Sequence, residues 1–297
     1  MSKRILLIGK GHLGSFLKAR WNLPAELHWT REMADLDEAT LDKLAPEVVV
    51  NTAGKTDLCW CENNAAECFR CNTSAPLYVY RAVKNAFKNR VPYIHLSSGC
   101  VWDGPYRVDG KPFEPFDPPT PACFYAWSKA ACDTMLRAEC SSPLLILRPR
   151  QVYSPLASPR NTLTKLASYP KLLDTPNSMT SADTIANTID IVLQLKSDHQ
   201  CWGRILNIYE RGFSSPFEVG TFLAEAGVRK VPEKLTKNEL DAWHKPKRVD
   251  AVIEDKFFEE MVNPPTVQAE LRRNIALYSK NVRNLACNAQ CASHPRR

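Results

Sequence analysis

No stretch of this 297-residue chain approaches the roughly 20 consecutive apolar residues that span a bilayer, which argues against a helical membrane protein. The opening Met1-Ser2-Lys3-Arg4 and the apolar Ile5-Leu6-Leu7-Ile8 follow the order of a secretion signal, but Gly9-Lys10-Gly11-His12 ends the apolar run too early. The expected compartment is cytoplasmic. A closed disulfide framework is excluded too, because the 11 cysteines are odd in number and a reducing compartment keeps them as thiols. There is no internal repeat. There is also no broad basic patch: the net charge of +7 is spread along the chain, apart from Lys245, Lys247, Arg248 and the terminal Arg296-Arg297. Diffuse charge of this kind suits a solvated face or a small anionic substrate rather than nucleic acid.

With 44% hydrophobic and 24% charged residues, the composition is that of an ordinary globular protein, neither disordered nor fibrous. Cys59, Cys61, Cys68 and Cys71 are spaced as C-x-C and C-x-x-C pairs, but no turn glycine lies between them. They read as small buried hydrophobes, and no metal is expected.

Short aliphatic runs alternate with amphipathic stretches through the first half of the chain. Ile5 to Ile8, Leu27 to Thr30, Glu47 to Asn51, Tyr93 to Ser97 and Leu144 to Arg148 are predicted strands. His12 to Trp21, Asp37 to Leu44, Ser74 to Asn89 and Tyr125 to Glu139 are predicted helices. Strict alternation points to an α/β fold, a Rossmann-type doubly wound parallel sheet, with a smaller C-terminal substrate-binding cap. The expected dinucleotide-binding domain is 1–155, with 182–209 returning to it. The cap is 156–181 and 210–285, and 286–297 is a frayed tail. The proline-rich stretch Gly104 to Cys123 is expected to be a long loop over the sheet edge, a candidate lid or binding segment.

Gly9-Lys10-Gly11-His12-Leu13-Gly14 is a G-x-G-x-x-G directly after the first strand and opening the first helix. The first glycine allows the tight turn, the second lets the backbone approach a pyrophosphate, and the third lets helix pack on strand. The helix N-terminus adds unpaired N–H groups for the phosphates. The second strand ends His28-Trp29-Thr30-Arg31, without the carboxylate that usually binds a ribose 2′-hydroxyl. Thr30 and Arg31 favour a 2′-phosphate, so NADPH is the expected cofactor and NADH the alternative.

Tyr125 and Lys129 lie four apart at the start of a predicted helix, and so on one face of it. An ammonium beside a phenol favours the phenolate, which predicts a lowered pKa for Tyr125 and an acid/base that exchanges a proton with a carbonyl oxygen. The pair lies downstream of Ser97-Ser98 at the end of the fourth strand.

This combination resembles the extended short-chain dehydrogenase/reductases, and among them the enzymes that modify nucleotide sugars. The resemblance implies that Ser98 bonds the substrate carbonyl, that Tyr125 is the acid/base, and that Lys129 also holds the nicotinamide ribose. It also implies a cofactor site formed by Gly9, Gly11, His12, Leu13, Gly14, Asn51, Ala53 and Gly54 with Thr30, Arg31, Tyr125 and Lys129. Gly99-Cys100 stands where the dehydratases of the superfamily carry an Asp-Glu pair, which disfavours a dehydratase.

The chain is more closely similar to the bifunctional 3,5-epimerase/4-reductases of UDP-rhamnose synthesis. The likeness rests on Asn51-Thr52-Ala53-Gly54, Trp60-Cys61-Glu62, Ser98-Gly99-Cys100, Leu147-Arg148-Pro149-Arg150, Ser158-Pro159-Arg160-Asn161, Thr164-Lys165 and Pro176-Asn177-Ser178-Met179-Thr180. It implies that Cys100 and Lys165 are the acid/base pair that inverts C3 and C5 of a 4-keto-6-deoxyglucose carried on UDP or dTDP. Residues two apart in an extended segment point the same way, so Cys100 is expected to face the pocket that Ser98 faces. Arg150, Arg160 and Asn161 are candidate contacts to the nucleotide. The rivals are a 4-reductase without epimerase activity and a non-catalytic NADP-binding regulatory subunit. The expected partner is a nucleotide sugar, with neither nucleic acid nor membrane; a homodimer is the candidate assembly.

Overall fold

The computed structural model describes residues 3–140, 143–196, 198–243 and 246–293. Six parallel strands form the central sheet: β1 (Ile5–Ile8), β2 (His28–Trp29), β3 (Val48–Asn51), β4 (Tyr93–Leu96), β5 (Leu144–Pro149) and β9 (Ile205–Ile208). Their order is β2-β1-β3-β4-β5-β9, so the strand predicted near residues 204–208 does join the main sheet at its edge. Strands β1, β3, β4, β5 and β9 are buried throughout because helices cover both faces. Leu7, Val50, Ile94 and Leu145 pack with Phe16, Leu17, Ile185 and Ile189 on one side. Leu6, Val49, Tyr93 and Ile146 pack with Leu77, Tyr80, Cys132 and Leu136 on the other.

The smaller unit holds two short parallel pairs, β6 (Val152–Tyr153) with β8 (Thr180–Ser181) and β7 (Lys171–Leu173) with β10 (Glu233–Leu235). Its separate core joins Tyr153, Leu163, Leu166, Leu172, Val219, Leu223, Leu271 and Ile275. The chain crosses from β5 into this unit at Gln151, whose φ of +44° is left-handed. A non-glycine residue tolerates that region at a cost of about 1–2 kcal/mol, so the turn there is imposed by its surroundings.

Three segments differ from the sequence expectation. The helix expected to begin at Ser74 is preceded by helices Leu58–Asn63 and Ala65–Phe69 and a π-helical turn Arg70–Ser74, before Ala75–Ala86 follows. That turn carries Asn72, whose amide accepts from Lys55 N at 2.8 Å and donates to Lys55 O and Ser128 Oγ at 3.0 and 3.1 Å, tying the loop after β3 to the catalytic helix. A π turn has no 3.6-residue period to betray it.

The Gly104 to Cys123 loop is not a lid over the site. Trp102, fully buried, stacks on Phe113 with ring centroids 5.3 Å apart, and Phe113 exchanges backbone hydrogen bonds with Val252 and Glu254. These anchors hold the middle of the loop against the core, while its end at Cys123 packs with Tyr125 and Cys100. Finally, the last helix runs Val267–Ser293, through the start of the expected tail at Ala286. Its cap-facing residues end near Tyr278 and Val282, but alanine-rich sequence continues the helix beyond the packed part. Cys287 and Cys291 are therefore on helical backbone, and residues 294–297 lie outside the described residues.

The Trp60-Cys61-Glu62 motif has a structural use. The helix Phe124–Ala138 begins after Cys123 without a side-chain cap of its own. Instead Phe124 N donates to Glu62 Oε1 at 2.6 Å, placing a carboxylate at the helix N-terminus. Replacing Glu62→Ala is expected to lower the Tm by about 2–4 °C. An unchanged melting curve would contradict this capping role.

Candidate active site

The glycine turn is built as the motif requires. Gly9 has a φ of +117°, and a Cβ there would meet Thr52 Oγ1 at 2.7 Å and Ala53 N at 2.9 Å. A Cβ on Gly14 would lie 2.1 Å from Gly9 O, so only hydrogen lets the helix His12–Arg20 seat on the turn. Gly11 is different: its nearest neighbour to a Cβ is Arg160 Nη1 at 3.9 Å, so its backbone faces open cleft. A bare backbone at the mouth of a helix N-terminus fits a pyrophosphate. The cleft continues along Trp29, Thr30, Arg31 and Glu32. Arg31 lies 4.5 Å over the Trp29 ring, while Glu32 is 3.8 Å from Arg70, which draws that carboxylate towards a cation.

The adjoining part of the cleft brings Gly11, His12, Leu13, Gly14, Ala53 and Gly54 together with Ser98, Cys100, Tyr125, Lys129, Arg150, Arg160 and Lys165. Ser98, two residues beyond the end of β4, accepts Cys100 N at 3.1 Å and caps the short turn Gly99–Val101. This bond sets the direction in which Cys100 leaves the strand. Lys129, 3% exposed, donates to Leu96 O at 2.8 Å. Burial holds its pKa below the ordinary lysine value. The phenol of Tyr125 departs from the sequence expectation: its pKa is raised, first by burial and then by Cys100, with a hydrogen bond to Ser98 pulling the other way. Removal of water is the largest influence on the phenol, so Tyr125 is a protonated donor rather than a phenolate.

Cys100 accepts Arg150 Nη1 at 2.7 Å. Lys165 reaches the same cleft from the helix Thr162–Ser168 in the cap. Its pKa is lowered, chiefly by burial and then by Arg248, with Arg160 adding to the effect and Asp57 opposing it. Burial also lowers that of His12, which shares a 2.9 Å hydrogen bond with Ser154 Oγ across the two units.

Two expected site residues lie elsewhere. Asn51 is fully buried, donating to Tyr93 OH at 2.8 Å and accepting Ala53 N at 2.9 Å; it shapes the turn after β3 and lines neither part of the cleft. Asn161 is fully buried as well, bonded to Ser154 O and Leu156 O, and caps the helix that carries Lys165. Short amide side chains satisfy buried backbone groups, which removes them from solvent and from any ligand. Arg150, 1% exposed, reaches the cleft only by its edge, while Arg160 lines both parts. Arg248 was missed as a site residue: it also lines the cleft, and its only sequence signal was membership of a small basic cluster. Among the described residues no group of three or more His, Cys, Asp or Glu side chains is placed to hold a metal, and no helix is long and apolar enough to cross a membrane.

The glycines make separable predictions. Gly14→Ala would ordinarily gain about 1 kcal/mol of helix propensity, but the backbone clash wins and the Tm should fall by several degrees. Gly11→Ala meets no such clash; it should melt within about 2 °C of the parent while binding a dinucleotide at least about tenfold more weakly by titration calorimetry. Equal effects of the two substitutions on Tm would contradict the assignment.

Comparison with known proteins agrees with this architecture. The model of the RmlD substrate binding domain matches residues 3–265. A bifunctional dTDP-4-dehydrorhamnose 3,5-epimerase/dTDP-4-dehydrorhamnose reductase of Arabidopsis thaliana is 27% identical over 221 residues, covering 69% of this chain and 72% of its own. A trifunctional UDP-glucose 4,6-dehydratase/UDP-4-keto-6-deoxy-D-glucose 3,5-epimerase/UDP-4-keto-L-rhamnose-reductase from the same plant is 27% identical over 68% of this chain, which spans only 32% of that longer protein. Among solved structures, a UDP-rhamnose synthase from Acanthamoeba polyphaga mimivirus superposes with a TM-score of 0.79 at 20% identity, covering 92% of this chain and 99% of that one. A Bacillus anthracis dTDP-4-dehydrorhamnose reductase in complex with NADP gives a TM-score of 0.74 at 16% identity, covering 92% of this chain and 98% of that one. With the family model matching almost the whole folded chain, the protein belongs to the RmlD substrate binding domain family.

Proposed function

We propose that the protein is an NADPH-dependent nucleotide-sugar 3,5-epimerase/4-reductase that converts UDP- or dTDP-4-keto-6-deoxyglucose into the corresponding rhamnose nucleotide. The reading rests chiefly on one observation: Ser98, Tyr125 and Lys129 share a single cleft with Cys100 and Lys165, directly beside the Gly11 to Gly14 turn. Family membership and the named activities of the plant and bacterial relatives support the reductase part. The Thr30-Arg31 edge and the NADP held by the B. anthracis relative support the choice of cofactor.

NADPH, when bound, supplies the hydride for C4. Ser98 and Tyr125 hold the C4 carbonyl oxygen, and Tyr125, kept protonated by burial, gives that oxygen its proton. Lys129, fixed by Leu96 O beside Gly54, orients the cofactor ribose.

The same two hydroxyls serve epimerisation. When a proton leaves C3 or C5, the C–H electron pair moves into an enolate whose negative oxygen is at C4, where Ser98 and Tyr125 already donate. Cys100 takes the proton on one face, and Lys165, entering from the cap, returns one on the other. Burial and Arg248 bring the Lys165 amine nearer to neutral exchange, as such a role requires. Arg160 and Arg248 supply positive charge for the diphosphate.

The rival 4-reductase differs only in the work of Cys100. With the unepimerised 4-keto sugar as substrate, Cys100→Ala should slow rhamnose-nucleotide formation by about 100-fold or more relative to reduction of the already epimerised sugar. Equal rates on the two substrates would leave a plain 4-reductase. No oxidation of NADPH by the parent protein with any 4-keto nucleotide sugar would instead favour a non-catalytic NADP-binding subunit.

A further inference from the structure

The pentapeptide Pro176-Asn177-Ser178-Met179-Thr180 has no contact in the catalytic cleft, yet it carried much of the sequence resemblance. Its hydrogen bonds converge on Arg150. Asn177 Oδ1 accepts Arg150 Nη2 at 2.6 Å, and Thr180 Oγ1 accepts Arg150 N at 2.8 Å. Arg150 Nη2 also donates to Val249 O. Asn177 is itself held on both sides, accepting Ala251 N at 3.1 Å and donating to Asp250 Oδ1 at 2.9 Å. Ser178 Oγ accepts Ile253 N at 3.0 Å, which pins the neighbouring strand of chain. The pentapeptide thus holds Arg150 at two points, its guanidinium through Asn177 and its backbone through Thr180.

That guanidinium is unusual. It is 1% exposed, its Nε has no hydrogen-bond partner, and among the described residues no carboxylate contacts it. The nearest acidic group in the network, Asp250, is reached only through Asn177 and lies 3.3 Å from the Lys237 ammonium. A buried cation satisfied only by neutral oxygens is costly unless a negative charge arises beside it. The remaining donor, Nη1, meets Cys100 Sγ at 2.7 Å. Tyr125 and Cys123, the other titratable groups that feel Cys100, are both buried and protonated, so neither supplies the missing charge.

We propose that Arg150, gripped by Asn177 and Thr180, is the positioning residue for Cys100: it aims the sulfur into the cleft and supplies the counter-charge when that sulfur is deprotonated. The inference rests on the epimerase reading of Cys100 for its catalytic meaning, but the geometry makes its own chemical prediction. In the proton transfer the thiolate takes the proton from C3 or C5, the C–H electron pair enters the enolate at the 4-oxygen, and the S–H proton exchanges with water. Arg150 neither gives nor takes a proton in this sequence.

The test has two readouts. The first is the rate at which iodoacetamide alkylates Cys100 in the substrate-free protein, read by mass spectrometry of the peptide that contains it, since alkylation follows the thiolate. Arg150→Leu should slow it at least about tenfold, Asn177→Ala, which removes the hold on the guanidinium but keeps the charge, by about threefold or more, and Arg150→Lys should recover much of the loss. The second is the ratio of the rate at which solvent deuterium enters C3 and C5 of the 4-keto-6-deoxyglucose nucleotide to the rate of NADPH oxidation with the already epimerised 4-keto sugar. Arg150→Leu should lower that ratio at least about tenfold. Unchanged alkylation in both Arg150→Leu and Asn177→Ala overturns the proposal, and so does an equal loss of exchange and oxidation in Arg150→Leu, the mark of a merely structural residue. If the parent protein exchanges no deuterium, the epimerase reading fails on its own, and the alkylation rates still decide whether Arg150 controls the sulfur.

Discussion

Two buried cations with only neutral partners govern this molecule. Lys129 is seated on Leu96 O, and Arg150 on Asn177, Val249 and Cys100. Neither contacts a carboxylate among the described residues, although the chain builds a buried Arg148–Asp133 pair at 2.8 Å only a short way along β5. Burying positive charge without a contacting carboxylate is costly to folding, and it leaves the site able to take negative charge. On the proposed function, a substrate carrying a diphosphate and passing through an enolate would supply that charge. The rest of the architecture keeps the cations in place: the π turn with Asn72 beside Ser128, the cap on the catalytic helix from Glu62, and the pentapeptide around Arg150.

On the proposed function, the same charge arrangement would let one cleft serve reactions at three carbons. Reduction and epimerisation would both place negative charge on the oxygen at C4, so that one pair of hydroxyls, Ser98 and Tyr125, would serve both. What distinguishes the reactions is which group approaches the carbon. Cys100 comes from the turn after β4 in the dinucleotide-binding part, and Lys165 from a helix of the cap. Bringing these two together requires the chain to cross from β5 into the cap at Gln151, where the backbone accepts a left-handed residue next to Arg150. Strain at that crossing is consistent with a site shared between two packed units.

Much of this was legible in the sequence because it depended on local chemistry. The glycine turn needs hydrogen at residues 9 and 14 whatever surrounds it, and the strands of the sheet read as continuous aliphatic runs because both faces are covered. The cleft membership of Ser98, Tyr125 and Lys129 followed from motif order, and that of Cys100 and Lys165 from the resemblance to the epimerase/reductases. What failed depended on partners distant in sequence. Asn51 and Asn161 read as ligand contacts because they lie in segments shared with the family, but each is taken up by nearby backbone. The proline-rich loop looked like a lid because proline and charge say nothing of Trp102 stacking on Phe113. The phenolate expected for Tyr125 rested on an ammonium four residues along the same helix face, whereas burial of the phenol dominates and raises its pKa. Arg248 could not be distinguished from a solvated lysine-arginine cluster until the cap folded it over the cleft.

The central claim is that proton transfer at C3 and C5 and proton delivery at C4 use different residues of one cleft. The most direct measurement uses Tyr125→Phe with NADPH and the 4-keto-6-deoxyglucose nucleotide in deuterated water, following deuterium in the sugar by NMR and NADPH by absorbance. The account predicts that NADPH oxidation falls by about 100-fold or more while deuterium entry into C3 and C5, for which Ser98 still donates to the C4 oxygen, falls by less than about tenfold. Loss of both together, or oxidation at the parent rate, would contradict it.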